Sequence, residues 1–199
     1  MSHPYKRDRP LSRQGGDMTD IADRYRRLAA VLDHRIESVP ADRWESPSPC
    51  EGWTTRDVVA HLIDWHGGVA ELGGLTLPPG PPVEDDPVAA WRHTRDAMQE
   101  LLDDPERANT SYEGMFGPTT VAATADQFLG LDLIVHGWDI ARGAGLDDTI
   151  PPEDVAELLP TIRQLGDNLR RPGVCGPEVP VPDDADDQTK LLGLLGRRR

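Results

Sequence analysis

The sequence predicts an all-α fold, a four-helix bundle with additions at its C-terminal end. Three observations predict it. Four long stretches carry apolar residues at helical spacing. The connections between them are broken by proline and glycine. The stretch Gln127 to Arg142 is long, mostly apolar and free of proline, as a core helix would be.

The chain has 199 residues, which fits one domain and is enough to bury a substantial core. Residues 1–17 are polar and patternless and are expected to be disordered, with Met18 the expected true start. The bundle is assigned to residues 18–170 and an extended tail to residues 171–199. The first helix opens at Thr19 and Asp20, repeats through Ile21, Tyr25, Leu28, Ala29, Leu32 and Ile36, and stops before Pro40. The segment from Trp44 to Trp53 holds two prolines and a glycine and reads as a fixed loop. Thr54 caps the second helix, with Asp57 placed for a capping box. Val58, Leu62, Trp65, Val69 and Leu72 give its apolar stripe, His61 lies within that stripe, and His66 lies on its edge, exposed or in an outer shell of the site.

Gly73 to Pro82 is a long crossover loop, since its prolines exclude helix and central strand. Asp86 and Pro87 start the third helix, whose inner face is Ala90, Trp91, Thr94, Ala97, Met98, Leu101 and Leu102. Residues 106–118 read as an irregular connection. Thr119 or Thr120 caps the fourth helix, which is expected to end at Gly143, with Gly145 shortly after. A fifth helical stretch follows Pro151 and Pro152, and Pro160 predicts a kink or break in it. The tail is proline-rich from Gly173 to Pro182, and Gln188 to Leu195 is expected to form a short terminal helix before three arginines.

Composition excludes several classes of function. The formal net charge is -14, from 35 acidic and 21 basic residues, so a broad electrostatic footprint for nucleic acid is not expected. The two cysteines, Cys50 and Cys175, make neither a disulfide framework nor a CxxC zinc pattern. No apolar run approaches the ~18 residues of a membrane span, and no signal core is present, so a cytoplasmic protein is expected, as a monomer or homodimer.

Chemistry is suggested by polar groups on apolar faces. Asp132 and His136 stand four apart in the core helix and so share one face. His61 interrupts the stripe of the second helix. Two imidazoles and a carboxylate form the ligand set of many catalytic zinc sites, and the same set arranged facially binds non-haem iron. Facing helices pack about 8–10 Å apart, within reach of a shared ion. The competing reading is that each histidine simply satisfies a core hydrogen bond. Asp139 either orients His136 or pairs with Arg142. Trp53, Trp65 and Trp138 read as core packing. Cys50 reads as a packed loop residue with no base nearby, and Cys175 has no chemical context.

The segment Pro47 to Leu62, Pro-Ser-Pro-Cys-Glu-Gly-Trp-Thr-Thr-Arg-Asp-Val-Val-Ala-His-Leu, strongly resembles the opening signature of the mycothiol-dependent maleylpyruvate isomerase N-terminal family, an actinobacterial branch of the DinB/YfiT-like superfamily. Asp132 to Gly145 is similar to its second signature, and Leu191 to Arg197 to the tail of its shorter members. The resemblance implies a DinB-like four-helix bundle holding a divalent metal at His61, Asp132 and His136. The isomerase has Glu where this chain has Asp132, which shortens the arm by one methylene. The isomerase also has a further C-terminal domain, replaced here by a short tail, so its reaction does not carry over. The expectation that remains is a metal, most simply zinc, with a thiol such as mycothiol as co-substrate, and thiol transfer to or isomerisation of an electrophilic small molecule. Tyr112 and Phe116 are loop aromatics that can close over the pocket. A non-catalytic metal- or ligand-binding bundle and a facial-triad iron enzyme stay open as alternatives.

Overall fold

The four apolar-periodic stretches all form helices in the computed structural model, which describes residues 18–114, 117–170 and 175–199. Residues 1–17, expected to be disordered, lie outside the described residues. The long helices are α1 (Met18–Ser38), α2 (Thr55–Leu72), α3 (Pro87–Asp103) and, after a short helix α4 (Pro105–Ala108) and the hairpin β1 (Ser111–Gly114) and β2 (Gly117–Thr120), a composite fourth helix. That helix is α5 (Val121–Thr124), a π-helical turn at Ala125–Leu129 and α6 (Gly130–Ala144). Its junction residues Ala125, Leu129 and Gly130 all keep right-handed helical backbone, so the three pieces run as one rod. α7 (Pro152–Leu165), a 3-10 turn at Gly166–Arg170 and α8 (Asp187–Leu194) complete the chain.

α1 packs on α3 and α6, and α2 packs on the same two helices. The four close a ring with α1 and α2 at opposite corners. This all-α, DinB-like bundle puts α2 and α6 side by side. The core between the helices is continuous: Leu32, Ile36, Leu62, Met98, Leu101, Leu129 and Ile140 are fully buried. Each such side chain stabilises the fold by roughly 1.5–3 kcal/mol relative to exposure.

Local chemistry fixes the helix ends. Thr54 Oγ1 accepts from the Asp57 N–H at 3.2 Å, and the Thr54 N–H donates to Asp57 Oδ2 at 2.8 Å, which is the capping box that the sequence predicted. Asp86 accepts from the Ala89 N–H at 2.9 Å, with Pro87 opening α3. The fourth helix runs one residue past the expected Gly143. Its end is Ala144, and Gly145 at φ 74 takes the left-handed cap that costs a residue with a Cβ most.

Several expectations are corrected. Residues 106–118 are not irregular throughout: β1 pairs antiparallel with β2, Ser111 opposite Thr120 and Gly114 opposite Gly117. Four-residue strands are too short to show the alternation that marks a strand in sequence. Pro160 does not break α7. Pro160 and Ala156 are both exposed, so the carbonyl that proline leaves unpaired reaches water. The inner face of α2 is rotated from the predicted stripe. Val58, Val59, Leu62, His66, Val69 and Ala70 are buried, Trp65 is half-buried and Leu72 is exposed at the helix end. His66, expected at the edge, is at the centre, and His61 is the residue at the edge.

His66 is wholly enclosed between Tyr25 and Trp91, whose rings meet its own edge-on at 5.8 and 5.2 Å. Its Nδ1–H donates to the Leu62 carbonyl at 2.6 Å. Burial lowers its pKa to about 4, against 6.5 for an ordinary histidine. Between those values the unfolded chain binds a proton that the folded chain refuses. Stability is therefore full above about pH 6.5 and falls as the pH drops toward 4, by on the order of 3 kcal/mol. Thermal melting from pH 7 to 4 should show this loss, and His66→Phe should make the decline shallower.

Candidate metal centre

The side-by-side packing of α2 and α6 brings the three predicted donors together. One ligand atom each from His61, Asp132 and His136 lies within 4.8 Å of the others. The His61 and His136 rings meet edge-on at 4.9 Å. Spacing of four on α6 sets Asp132 and His136 one turn apart on one face, and the edge position of His61 on α2 points it across the groove. All three are half-buried, so the cluster keeps access to solvent. Among the described residues, neither the His61 ring nor the Asp132 carboxylate has a hydrogen-bond partner.

Electrostatics at the cluster follow from this enclosure. Burial, reinforced by His136, lowers the pKa of His61 to about 4, so its ring is neutral at pH 7 with a lone pair available. The Asp132 carboxyl is surrounded by protein although the residue retains some exposed surface. Burial raises its pKa, and His136 opposes that rise. The Arg197 guanidinium opposes it as well.

Behind the cluster is a second layer that the sequence reading resolved only in part. His136 Nδ1–H donates to Asp139 Oδ2 at 2.9 Å, so of the two partners open to Asp139 it takes His136 and not Arg142. Arg142 pairs with Asp148 at 3.1 Å. Asp139 is fully buried, and its charge is held by Arg197 from the tail. Arg197 Nε donates to Oδ1 at 2.8 Å and Nη2 to Oδ2 at 2.7 Å. Burial would raise the pKa of Asp139, but the hydrogen bonds from Arg197 and His136 outweigh it and hold the carboxylate at about 2. Arg197 was not foreseen. An arginine run near a terminus reads as a solvated charge, and nothing in local spacing links it to a residue 58 positions away.

Cys50 is also corrected. The loop carries it to 3.3 Å from Asp139 Oδ2, 4.0 Å from His136 Nδ1 and 3.6 Å from Arg197 Nη2, so basic groups are close after all. It is nonetheless a poor nucleophile, because burial and then the Asp139 charge push its thiol up to about 12. Cys50, His136 and Asp139 form a second close group of donors, which shares His136 with the first. Cys175 also acquires a context, since its thiol meets the Arg197 guanidinium. Trp53, expected in the core, is half-buried and lines the site: its ring lies 5.0 Å from that of His61 and stacks on that of His136 at 6.3 Å. Trp65 is half-buried and Trp138 is fully buried, as core packing requires. The Tyr112 hydroxyl is bound to Thr124 Oγ1 at 2.6 Å, and Phe116 lies outside the described residues.

A polar cleft of about 390 Å³ opens on the Arg197 side, lined by Pro47 to Pro49, Arg142, Gly143, Gly196 and Arg198. None of the three donors lines it; Arg197, which also lines it, links it to Asp139.

The fold and the cluster together define a helical bundle with a His–Asp–His donor set between two adjacent helices. The family model for the mycothiol maleylpyruvate isomerase N-terminal domain matches residues 25–141, more than half of the chain, and the protein belongs to that family. It is similar to the uncharacterized protein Rv0738 of Mycobacterium tuberculosis (strain ATCC 25618 / H37Rv), 29% identical over 169 residues that cover 81% of this chain and 89% of the relative. It is also similar to the uncharacterized protein Rv0036c of the same strain, 29% identical over 139 residues, 58% of this chain and 52% of the relative. No solved structure matches the chain at a significant level.

The state of Cys50 is directly measurable. In chelator-treated protein at pH 8, alkylation of Cys50 by iodoacetamide should run at least ~100-fold slower than in the unfolded chain, because the thiolate fraction is that much smaller. Peptide mass spectrometry over time measures it, and equal rates would contradict the buried, protonated thiol.

Proposed function

We propose that this protein holds a divalent metal, with zinc the favoured ion, at His61, Asp132 and His136, and uses it with a small thiol of the mycothiol class. The reaction would be thiol transfer to, or thiol-assisted isomerisation of, an electrophilic small molecule. One observation carries the reading: three donors converge within 4.8 Å, and two of them have no hydrogen-bond partner among the described residues. A hydrogen-bonded core histidine would look like His66, not like His61. The donor set also suits zinc, which accepts His and Asp and keeps a position open in catalytic sites.

Bound there, a divalent ion would supply positive charge that lowers the pKa of a coordinated thiol at neutral pH. The chain's own residues prepare that site. His136 donates its Nδ1–H to Asp139, so the Nε2 lone pair is left for a metal. His61 is neutral at working pH because burial keeps it so. Asp132 offers the only negative charge among the three. The Trp53 ring stacks on His136 and lies tilted against His61, so it packs beside both imidazoles. Cys50, held protonated, leaves the thiol to be brought in from outside.

A non-catalytic metal- or ligand-binding bundle is the second reading, since the relatives are uncharacterized. The two separate experimentally. Protein purified without a polyhistidine tag should contain close to one equivalent of metal by elemental analysis. Chelation should lower the melting temperature by several degrees, since ligand at about 100 times Kd contributes ~2.7 kcal/mol. His61→Ala and His136→Ala should each abolish the metal-dependent rise in melting temperature. Mycothiol binding only by the metal-loaded protein supports the thiol reading, and metal-dependent stability without thiol binding supports the second. Oxygen consumption by an iron-loaded form would instead indicate the iron enzyme. Absence of any metal effect would overturn all three.

A further inference from the structure

We infer that Arg197 is a positioning residue of the metal centre, so that the C-terminal tail is a working part of the site. The inference rests on the proposed His61, Asp132 and His136 centre and extends it to a residue in contact with none of those donors' metal-facing atoms. Three observations carry it.

The first is geometric. Arg197 grips both oxygens of Asp139, and Asp139 Oδ2 in turn holds His136 Nδ1. A carboxylate gripped at both oxygens has one orientation, and that orientation fixes the tautomer and ring plane of the histidine. The second is burial. The Arg197 side chain is 11% exposed and Asp139 is 0% exposed, so this pair is not a surface contact traded freely with water. Without Arg197, Asp139 would be a buried anion whose remaining partners are one imidazole and a thiol.

The third is that the tail is shaped to deliver this residue. α8 ends in a Schellman turn. The Gly196 N–H donates to the Gly193 carbonyl at 3.0 Å and the Arg197 N–H to the Leu192 carbonyl at 2.9 Å. Gly196 stands at φ 80, and a Cβ there would lie 3.0 Å from the Pro177 carbonyl oxygen, so glycine is required twice over. The helix itself is seated by the Val179 N–H on the Gly193 carbonyl at 2.9 Å and by Arg170, which donates to the Gly176 and Leu194 carbonyls. The direction in which Arg197 leaves α8 is thus set by backbone, and it leads to Asp139.

Zinc affinity by chelator competition and the visible spectrum of the cobalt(II)-loaded protein test this on the full chain. Arg197→Ala should weaken zinc binding about 10-fold or more, the range for residues that orient a ligating histidine. It should also shift the cobalt absorption. Arg197→Lys should recover only part of the affinity, because an ammonium cannot grip both oxygens. In an Asp139→Asn background the Arg197→Ala change should cost almost nothing more, since both act through one contact. Gly196→Ala, which touches no atom of Asp139, should reproduce the Arg197→Ala loss through the backbone and serves should Arg197→Ala fold poorly. Arg199→Ala, whose partner is the exposed Asp186, should bind zinc like the parent protein. Unchanged zinc affinity and cobalt spectrum in Arg197→Ala, or a full Arg197 effect persisting in Asp139→Asn, would overturn the positioning role while leaving the metal centre standing. A parent protein that binds neither ion would overturn both.

Discussion

A single buried negative charge, that of Asp139, constrains most of what surrounds it. A carboxylate removed from water is costly unless its oxygens are satisfied and its charge is met. Here the partners come from three separate parts of the chain: His136 one turn back on α6, Cys50 from the loop before α2, and Arg197 from the tail after α8. Each has to arrive in register for the charge to be tolerated. The loop between Trp44 and Trp53, the pitch of α6 and the turn at Gly196 are therefore not independent details, since they meet at one carboxylate. His61 and Asp132 hydrogen-bond to none of these groups among the described residues, and the carboxylate meets their cluster at His136.

This division explains why the site is polar without being weakly held. His61 and Asp132 are half-buried, and they make no hydrogen bonds of their own among the described residues. The residues that give the site its shape, Asp139 and Arg197, are deeper and fully engaged. Asp132, where the family's isomerase is expected to carry Glu, has the shorter arm. The same two-level arrangement is common where a histidine is both a ligand and a charge acceptor.

Much of this was legible in the sequence, and the exceptions have physical causes. Helical periodicity gave the inner face of α3 residue for residue, and Thr54 with Asp57 gave the start of α2, because both are local patterns. The convergence of three residues was legible as well: Asp132 and His136 by spacing on one helix, His61 by its place among apolar neighbours. What was missed depends on rotation or on distance along the chain. The face of α2 is turned by one position, which exchanges the roles of His61 and His66, and periodicity alone does not fix a helix's rotation to within one residue. The hairpin at 111–120 was too short to show a period. Arg197 and the true setting of Cys50 rest on contacts 58 to 147 residues apart, for which a single sequence holds no signal.

The turn at Gly196 has a consequence in local opening equilibria. α8 packs chiefly on α7 and on the tail, and its Leu191, Leu192 and Leu195 join the common hydrophobic core. A terminal helix can open locally at a free energy of its own, here one that includes uncovering those leucines. When it opens, the hold on Asp139 is released. The order of the His136 ring is then governed by how often a small C-terminal helix lifts away, and not only by the global stability of the fold. Amide protection at Arg197 and Gly196 would report the readiness of the site more faithfully than any melting temperature.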